Sequence, residues 1–319
     1  MDDGIFTMID GTISNCLAAL GGAIYIKGSA STVFTMSGGT IDDCISTTHG
    51  GAVYMEGGTV RLSGGKIINN VAQKGNGGGI FIKGGDFEMP SNGKASIESN
   101  SAFSANEPNC GRGGGIYITS NTGNVDVDLL SGSIINNTSD RRGGGIAVEL
   151  TGTQASSTVT VGALGDDTTP TITRNRTSLS GGGLYVLGQN ANIIMNGGQI
   201  LSNTTSGYVA NHDVANEGGM VTLNGGNVTH IKVNYMPNSD YATVTDKSGA
   251  SVTHLTQKIV TATNSKMDIP GTFTRARWEI YAWHTRPDGD DTKGKRYTPG
   301  AILNLNSDVT LYALWREIQ

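Results

Sequence analysis

Short apolar patterns recur in two alternating forms along the first 228 residues. The first form is a strand-like segment, usually followed by a glycine pair and a β-branched residue: FTMIDGTI (6–13), FTMSGGTI (34–41), VRLSGGKI (60–67), IIMNGGQI (193–200) and VTLNGGNV (221–228). The second form is two or three glycines before a strand: GGAIYI (21–26), GGAVYM (50–55), GGGIFI (77–82), GGGIYI (113–118), GGGIAV (143–148) and GGGLYV (181–186). Apolar residues alternate with others in both forms, which predicts β-strands with one inward face. The segments are too short for helices.

The first pattern repeats at a nearly constant interval. Its closing residues are Ile13, Ile41, Ile67, Ile97, Ile134, Ile172, Ile200 and Val228, spaced near 28 residues apart except for two intervals of 37 and 38. Strands at this period without helices predict a solenoid in which each strand pairs with its equivalent one rung away. We therefore predict an all-β protein whose residues 1–228 form a right-handed parallel β-helix of about eight rungs. The predicted inward residues include Ile24, Ile26, Met36, Ile80, Ile116 and Leu184.

A third position supports this register. Three residues after successive closing isoleucines stand Cys16, Cys44, Asn70, Asn100, Asn137, Asn175 and Asn203. The asparagines predict an internal ladder in which each side-chain amide bonds the next; the alternative is that asparagine simply favours turns. Cys16 and Cys44 would be stacked neighbours, at a spacing compatible either with a disulfide or with two buried thiols.

A candidate binding surface follows the second pattern. The residues predicted to face outward from its strands are Tyr25, Tyr54, Phe81, Tyr117, Ala147 and Tyr185. Stacked rings could form an exposed platform for sugars or for a partner protein. The alternative is that stacking only stabilises neighbouring strands.

The two long intervals imply insertions at 101–112, 151–158 and 162–170. Solenoids tolerate such loops, and loops often gather on a binding face. We predict one patch beside Tyr117 and Tyr185 that includes Asn106, Asp166 and Asp167.

Charge and composition narrow the function. The net charge is −5 and no basic stripe with interleaved aromatics is present, which argues against nucleic acid. No apolar run approaches the ~20 residues of a membrane span. The pairs Asp126 with Asp128, Asp166 with Asp167, and Arg141 with Arg142 fall at different rung positions, so most of them cannot converge on one groove. We predict no catalytic residue, metal or cofactor.

Two resemblances add to this interpretation. Gly-Gly-Ala-Ile at 21–24 and Gly-Gly-Ala-Val at 50–53, with the following asparagine motif, resemble the passenger repeats of chlamydial polymorphic membrane proteins. More broadly, residues 5–228 are similar to the pectate-lyase-like β-helix superfamily. After Val228 the glycine repeat stops, and VNY (233–235), AWHT (282–285), YTPG (297–300) and DVTLYALW (308–315) follow. Residues 229–316 resemble a Listeria–Bacteroides repeat of the internalin B-repeat type, within a second domain, 229–319. This resemblance implies a small, β-rich, ubiquitin-like (β-grasp) module on an extracellular bacterial protein. From their apolar and aromatic character, we predict that Trp283, Leu311, Ala313 and Trp315 form its core.

We therefore predict a non-catalytic bacterial surface adhesin or scaffold that binds a host protein or a glycan. The alternative is a carbohydrate-active β-helix enzyme, either a polysaccharide lyase or a glycoside hydrolase. The segment Met1–Gly4 lacks the basic and apolar regions of a signal peptide, and the repeat begins at Phe6. A solenoid needs a cap over its terminal rung, so we expect the chain to be part of a longer polypeptide.

Overall fold

A computed structural model describes residues 1–120, 123–150, 155–166, 168–206, 213–217, 219–228, 231–259, 265–303 and 309–318. The chain divides into two compact units, Met1–Thr229 and His230–Gln319. Every regular element among the described residues is a β-strand, and none is a helix.

The first unit is a parallel β-solenoid of four sheets, which we name A to D in the order in which each turn visits them. Sheet A contains Ile5–Met8, Val33–Met36, Thr59–Leu62, Gly85–Met89, Gly123–Leu129, Ala155–Val161, Ala191–Met195 and Met220–Leu223. Sheet B contains Thr12–Ser14, Thr40–Asp42, Lys66–Ile68, Ser96–Glu98, Ser133–Ile135, Thr171–Thr173, Gln199–Leu201 and Asn227–Val228. Sheet C contains Leu17–Leu20, Ile45–His49, Val71–Ala72, Ser101–Ala102, Thr138–Ser139, Arg176–Thr177 and Thr204–Thr205. Sheet D contains Ile24–Ile26, Val53–Met55, Ile80–Ile82, Ile116–Thr119, Ile146–Glu149, Leu184–Leu187 and Val214–Glu217.

The solenoid completes about seven turns. Sheets A and B have eight strands each, whereas sheets C and D have seven, because the repeat stops after Val228. The predicted register is confirmed, since Ile67 pairs with both Ile41 and Ile97 across sheet B. The predicted inward residues are buried, and Ile26, Ile80 and Ile116 have no exposed surface.

The asparagine ladder is confirmed. From rung to rung, the Nδ2 group of one asparagine donates to the Oδ1 atom of the next: the distance is 2.9 Å for Asn70 to Asn100 and 3.0 Å for Asn100 to Asn137. The same oxygen also accepts the backbone N–H of the preceding asparagine, at 2.9 Å in the Asn100–Asn137 step. Asn137 and Asn175 continue the pattern. The asparagines are therefore buried structural links and not solvated turn residues.

Other residue types end the ladder on both sides. The Cys44 backbone N–H donates to Asn70 Oδ1 at 2.9 Å, and the Asn203 amide donates to Asp213 Oδ1 at 2.8 Å. Cys16, Cys44 and Cys110 are free thiols. Burial raises the pKa of the Cys44 thiol to about 11.

The three insertions do not form the single predicted patch. Insertion 101–112 leads from sheet C to sheet D, whereas 162–170 leads from sheet A to sheet B. Insertion 151–158 is partly strand, because Ala155–Val161 lengthens sheet A; residues 151–154 lie outside the described residues. Successive corners of a solenoid point in different directions, so loops at different corners cannot share one surface.

The second unit contains a five-stranded mixed sheet and two short strand pairs. Its sheet order is Leu255–Ile259, Ile231–Met236, Val309–Glu317, Trp278–His284 and Arg296–Tyr297; the pairs are Thr243–Asp246 with Gly271–Thr274 and Ser265–Lys266 with Ile302–Leu303. Trp283, Leu311 and Ala313 have no exposed surface, as predicted for core residues. Trp315 differs, because it packs only against the margin of this core.

A candidate binding cleft on sheet D

The predicted aromatic ladder exists on sheet D. Tyr25 pairs with Tyr54, Tyr54 with Phe81, and Phe81 with Tyr117. Ring centroids lie 5.4, 4.9 and 5.1 Å apart along this series. Such contacts between neighbouring strands stabilise a sheet by ~0.2–1 kcal/mol per pair.

The expectation of an exposed platform is wrong for four of the five rings. Tyr54, Phe81, Tyr117 and Tyr185 are at most 6 % exposed, and only Tyr25 is half-buried. Polar side chains cover them. The His49 ring lies 4.6 Å from that of Phe81, and the Arg142 guanidinium lies 5.0 Å above the Tyr185 ring.

Glutamates on the following rungs satisfy the tyrosine hydroxyls. Tyr25 donates to Glu56 at 2.8 Å, and Tyr185 donates to Glu217 at 2.7 Å. Tyr117 donates to Glu149 at 3.1 Å. Burial, followed by the Glu149 carboxylate, raises the pKa of Tyr117, so this hydroxyl stays protonated and donates.

A cleft of about 420 Å³ opens beside the ladder, where insertion 101–112 approaches sheet D. Its lining consists of His49, Asn76, Phe81, Asn109, Cys110, Arg112, Tyr117, Thr119 and Glu149. This volume lies within the range of small-molecule sites. We call this feature the sheet-D cleft.

A buried ion pair forms one wall of the sheet-D cleft. Arg112 Nη1 contacts Glu149 Oε2, and the two side chains are 13 % and 3 % exposed. The second carboxylate oxygen, Glu149 Oε1, and the Arg112 Nε atom are both buried without a hydrogen-bond partner. Burial outweighs the arginine and raises the pKa of Glu149. The wall therefore holds one unused acceptor and one unused donor.

His49 is held in one tautomer. Its Nδ1 atom accepts the Asn76 backbone N–H at 3.1 Å, which leaves the proton on Nε2. Burial, followed by the charge of Lys83, lowers the pKa of His49, so the ring is neutral. Asn76 also accepts from the Arg112 backbone N–H at 3.0 Å and donates to the Asn109 carbonyl at 3.0 Å. Asn76 thus fixes the insertion against the sheet.

The other predicted site residues lie outside this cleft. Asn106 is exposed in insertion 101–112 but does not line the cleft. Asp166 lies at the corner between sheets A and B, where its carboxylate accepts hydrogen bonds from the hydroxyls of Thr168 and Thr169. These bonds lower the pKa of Asp166 to about 2, as expected for a turn-forming aspartate. Asp167 lies outside the described residues.

Sequence reasoning missed His49, Arg112 and Glu149. One signal was present for the glutamates: the aromatic position becomes alanine at Ala147 and Ala215, and each is followed two residues later by a glutamate. The small side chain leaves room for that carboxylate beside the tyrosine hydroxyl of the preceding rung. No local signal identifies His49, because it belongs to the neighbouring sheet.

The pH dependence of stability should report on Glu149. Because its pKa is raised in the folded protein, the folded state binds more protons than the unfolded state between the unfolded and folded pKa values. The stability contribution of Glu149 is therefore lost as pH rises through that window. We expect the free energy of unfolding of the protein, relative to that of Glu149→Gln, to fall as the pH rises above the unfolded pKa of about 4.3 towards the higher folded pKa. Urea titrations across this range measure it, and a relative stability that rises with pH would contradict the raised pKa.

The described residues contain no cluster of three or more His, Cys, Asp or Glu side chains that could hold a metal ion. Within the same part of the chain, no helix is long and apolar enough to cross a membrane. Comparison with known protein families, with curated proteins and with solved structures gives no match for this chain.

Proposed function

We propose that this chain is a non-catalytic bacterial surface scaffold of the adhesin type, and that its sheet-D cleft binds a saccharide. The observation that supports this proposal is the lining of the cleft, which sets the neutral ring of His49 and the Arg112–Glu149 ion pair beside the rings of Phe81 and Tyr117. A few polar groups set among aromatic and apolar side chains in a concave pocket are typical of small-molecule sites.

The chemistry of the wall favours a neutral, hydroxyl-rich ligand. Arg112 and Glu149 neutralise one another, and His49 is uncharged. A sugar hydroxyl donates and accepts at once, so it can accept the hydrogen bond that His49 Nε2 offers. Phe81 and Tyr117 add apolar surface to the same lining.

The proposal also includes three structural assignments: the handedness of the solenoid, its family and the fold of the C-terminal unit. We assign a right-handed winding to the solenoid and kinship with the passenger repeats of polymorphic membrane proteins. We assign residues 229–319 as a Listeria–Bacteroides repeat with a β-grasp fold. With these assignments we propose that the protein is secreted to the outside of a bacterial cell or held on its surface.

A carbohydrate-active enzyme is the second candidate, and one observation favours it. The raised pKa of Glu149 is a property of general acids. Hydrolysis by the usual route also needs a second carboxylate roughly 5–9.5 Å away. Glu149 is the only carboxylate in the described lining of the cleft, so we rank binding above turnover.

A bulky side chain that fills the sheet-D cleft should weaken saccharide binding. Cys110 is half-buried in the lining, so Cys110→Phe is expected to weaken binding of a glycan identified on an array by at least about tenfold, which corresponds to roughly 1.4 kcal/mol. Isothermal titration calorimetry measures the affinity. Glu107→Phe is the matched control, since this exposed residue lies in the same insertion but outside the lining.

Three outcomes contradict parts of the proposal. Equal binding by both variants would exclude the cleft as the site. Capture of a host protein without any glycan would replace the ligand class. Release of shortened or unsaturated sugars from pectin, alginate or mucin glycans, lost in Glu149→Gln, would establish the enzyme.

A further inference from the structure

A second groove, of about 340 Å³, lies within the C-terminal unit and shares no residue with the sheet-D cleft. Its apolar lining includes Ile269, Phe273, Trp278, Ile280 and Trp315. Its charged lining residues are Arg275 and Glu279, and Glu279 is paired with Arg316. The two indoles are only half-buried, although the third tryptophan of this unit, Trp283, is fully buried in the core. Their exposed faces offer aromatic surface to a ligand in the groove.

A tight turn builds the charged end of this groove. The Trp278 backbone N–H donates to the Arg275 carbonyl at 3.0 Å, and Arg277 adopts a positive φ of 66° within the turn. The Ile318 N–H donates to the Arg277 carbonyl at 2.9 Å, which ties the turn to the neighbouring strand. Arg275 is therefore held by backbone geometry and does not depend on a mobile loop.

The sheet sets the two indoles on one face. Trp278 and Ile280 are two residues apart on strand Trp278–His284, and Ile280 pairs with Trp315 across the sheet. The Trp315 Nε1 group donates to the Pro237 carbonyl at 2.6 Å, which fixes the orientation of its ring. The apolar faces consequently stay in place without a ligand.

The Arg275 guanidinium is held against two indole rings but has no carboxylate partner among the described residues. Its central carbon lies 4.1 Å from the Trp278 ring centroid and 6.0 Å from that of Trp315. Three arginines of this unit have carboxylate partners: Arg286 contacts Asp288 at 2.8 Å, Arg296 contacts Asp291 at 2.8 Å, and Arg316 contacts Glu279 at 2.7 Å. Among the described residues, Arg275 has no such partner. Stacking on the indole orients the plane of the Arg275 guanidinium and leaves its N–H groups free to donate to an anion.

We propose that this groove binds a carboxylate-bearing sugar, a uronic-acid residue, through Arg275. The carboxylate accepts a bidentate pair of hydrogen bonds from the guanidinium. The apolar face of the pyranose ring packs against Trp315 and the open side of Trp278. A uronic acid joins a planar anion to a flat apolar ring, so it matches both the cation and the indoles. This site is separate from the sheet-D cleft, for which we propose a neutral ligand.

Intrinsic fluorescence provides a selective test in the full chain. All three tryptophans of the protein, Trp278, Trp283 and Trp315, lie in the C-terminal unit, and the lining of the sheet-D cleft contains none of them. We expect a trisaccharide of galacturonic acid to change the emission saturably at millimolar concentration or below. Its carboxyl-reduced neutral counterpart should bind at least tenfold more weakly.

Three variants sharpen this test. Arg275→Gln should weaken trigalacturonate binding at least tenfold. Arg275→Lys keeps the positive charge but loses the planar, bidentate guanidinium, so it should weaken binding at least threefold. Arg277→Gln removes the same charge from the same turn and should change the affinity less than twofold. The emission of buried Trp283 reports unfolding of each variant. If Arg275→Gln is unfolded, the comparison of Arg275→Lys with Arg277→Gln serves as the test. Equal losses in Arg275→Gln and Arg277→Gln, equal binding of the neutral sugar, or a response only to peptide C-terminal carboxylates would overturn the proposal.

Discussion

Asn137→Ala is expected to lower the free energy of unfolding by about 3 kcal/mol, because it leaves several buried groups unpaired at once. The Asn137 oxygen accepts from both the backbone N–H and the side-chain amide of Asn100, at 2.9 and 3.0 Å. Its Nδ2 group donates to the Ile97 carbonyl and to Asn175 Oδ1. Alanine removes all four bonds at a position with no exposed surface. Equilibrium urea unfolding measures the loss.

Hydrogen exchange localises this effect. The Asn100 backbone amide loses its acceptor, so its protection should fall more than that of amides several rungs away. Asn136→Gly is the matched control: it deletes the neighbouring exposed side chain but suits the positive φ of 57° at that position. We expect the control to change stability by less than about 0.5 kcal/mol. Equal losses in the two variants would show that the ladder contributes nothing specific.

Gly144→Ala is expected to cost at least about 3 kcal/mol, at the upper end of the range for overpacked sites. A Cβ atom on Gly144 would lie 2.5 Å from the Gly182 carbonyl oxygen and 2.6 Å from the Arg176 carbonyl oxygen. These obstacles are backbone atoms of the adjacent rung and of sheet C, so no side-chain rotation relieves the clash. The thermal midpoint and the urea midpoint should both fall.

Gly165→Ala separates this clash from backbone strain. Gly165 has a positive φ of 84°, and nothing lies within 4 Å of the site of its Cβ atom. The variant should therefore cost only the left-handed penalty of about 1–2 kcal/mol. A loss at Gly144 no greater than at Gly165 would mean that the adjacent rungs move apart to accommodate the methyl group.

The solenoid could be predicted because each rung contacts only the neighbouring rungs and the same contacts recur in every turn. Each Ile of sheet B meets the equivalent Ile of the next rung, so one correctly aligned repeat fixes the neighbours on both sides. The asparagine register survived the two long rungs because the extra residues enter at other corners, before sheet D and before sheet B. The same logic could not place those insertions together, since equal rung length says nothing about which corner carries the excess.

The sheet-D cleft was beyond sequence reasoning for a different reason. Alternation correctly placed Tyr117 on the outer face of its strand, but it cannot tell whether that face meets solvent. Arg112 precedes the same strand, Glu149 ends the equivalent strand of the next rung, and His49 comes from sheet C two rungs earlier. Their convergence depends on side-chain reach across rungs and corners, which the repeat pattern does not encode.

The asparagine ladder also has a direction. Every amide in it donates towards the higher-numbered rung, so the side-chain dipoles align head to tail, and their positive end meets the Asp213 carboxylate. This is the arrangement of an α-helix with an acidic residue at its N-terminus, built here from side chains. A polarised chain of this kind can be lengthened by inserting an asparagine rung between any two existing ones. The series ends at Asp213, because an aspartate side chain lacks the amide N–H group with which each asparagine donates to the next.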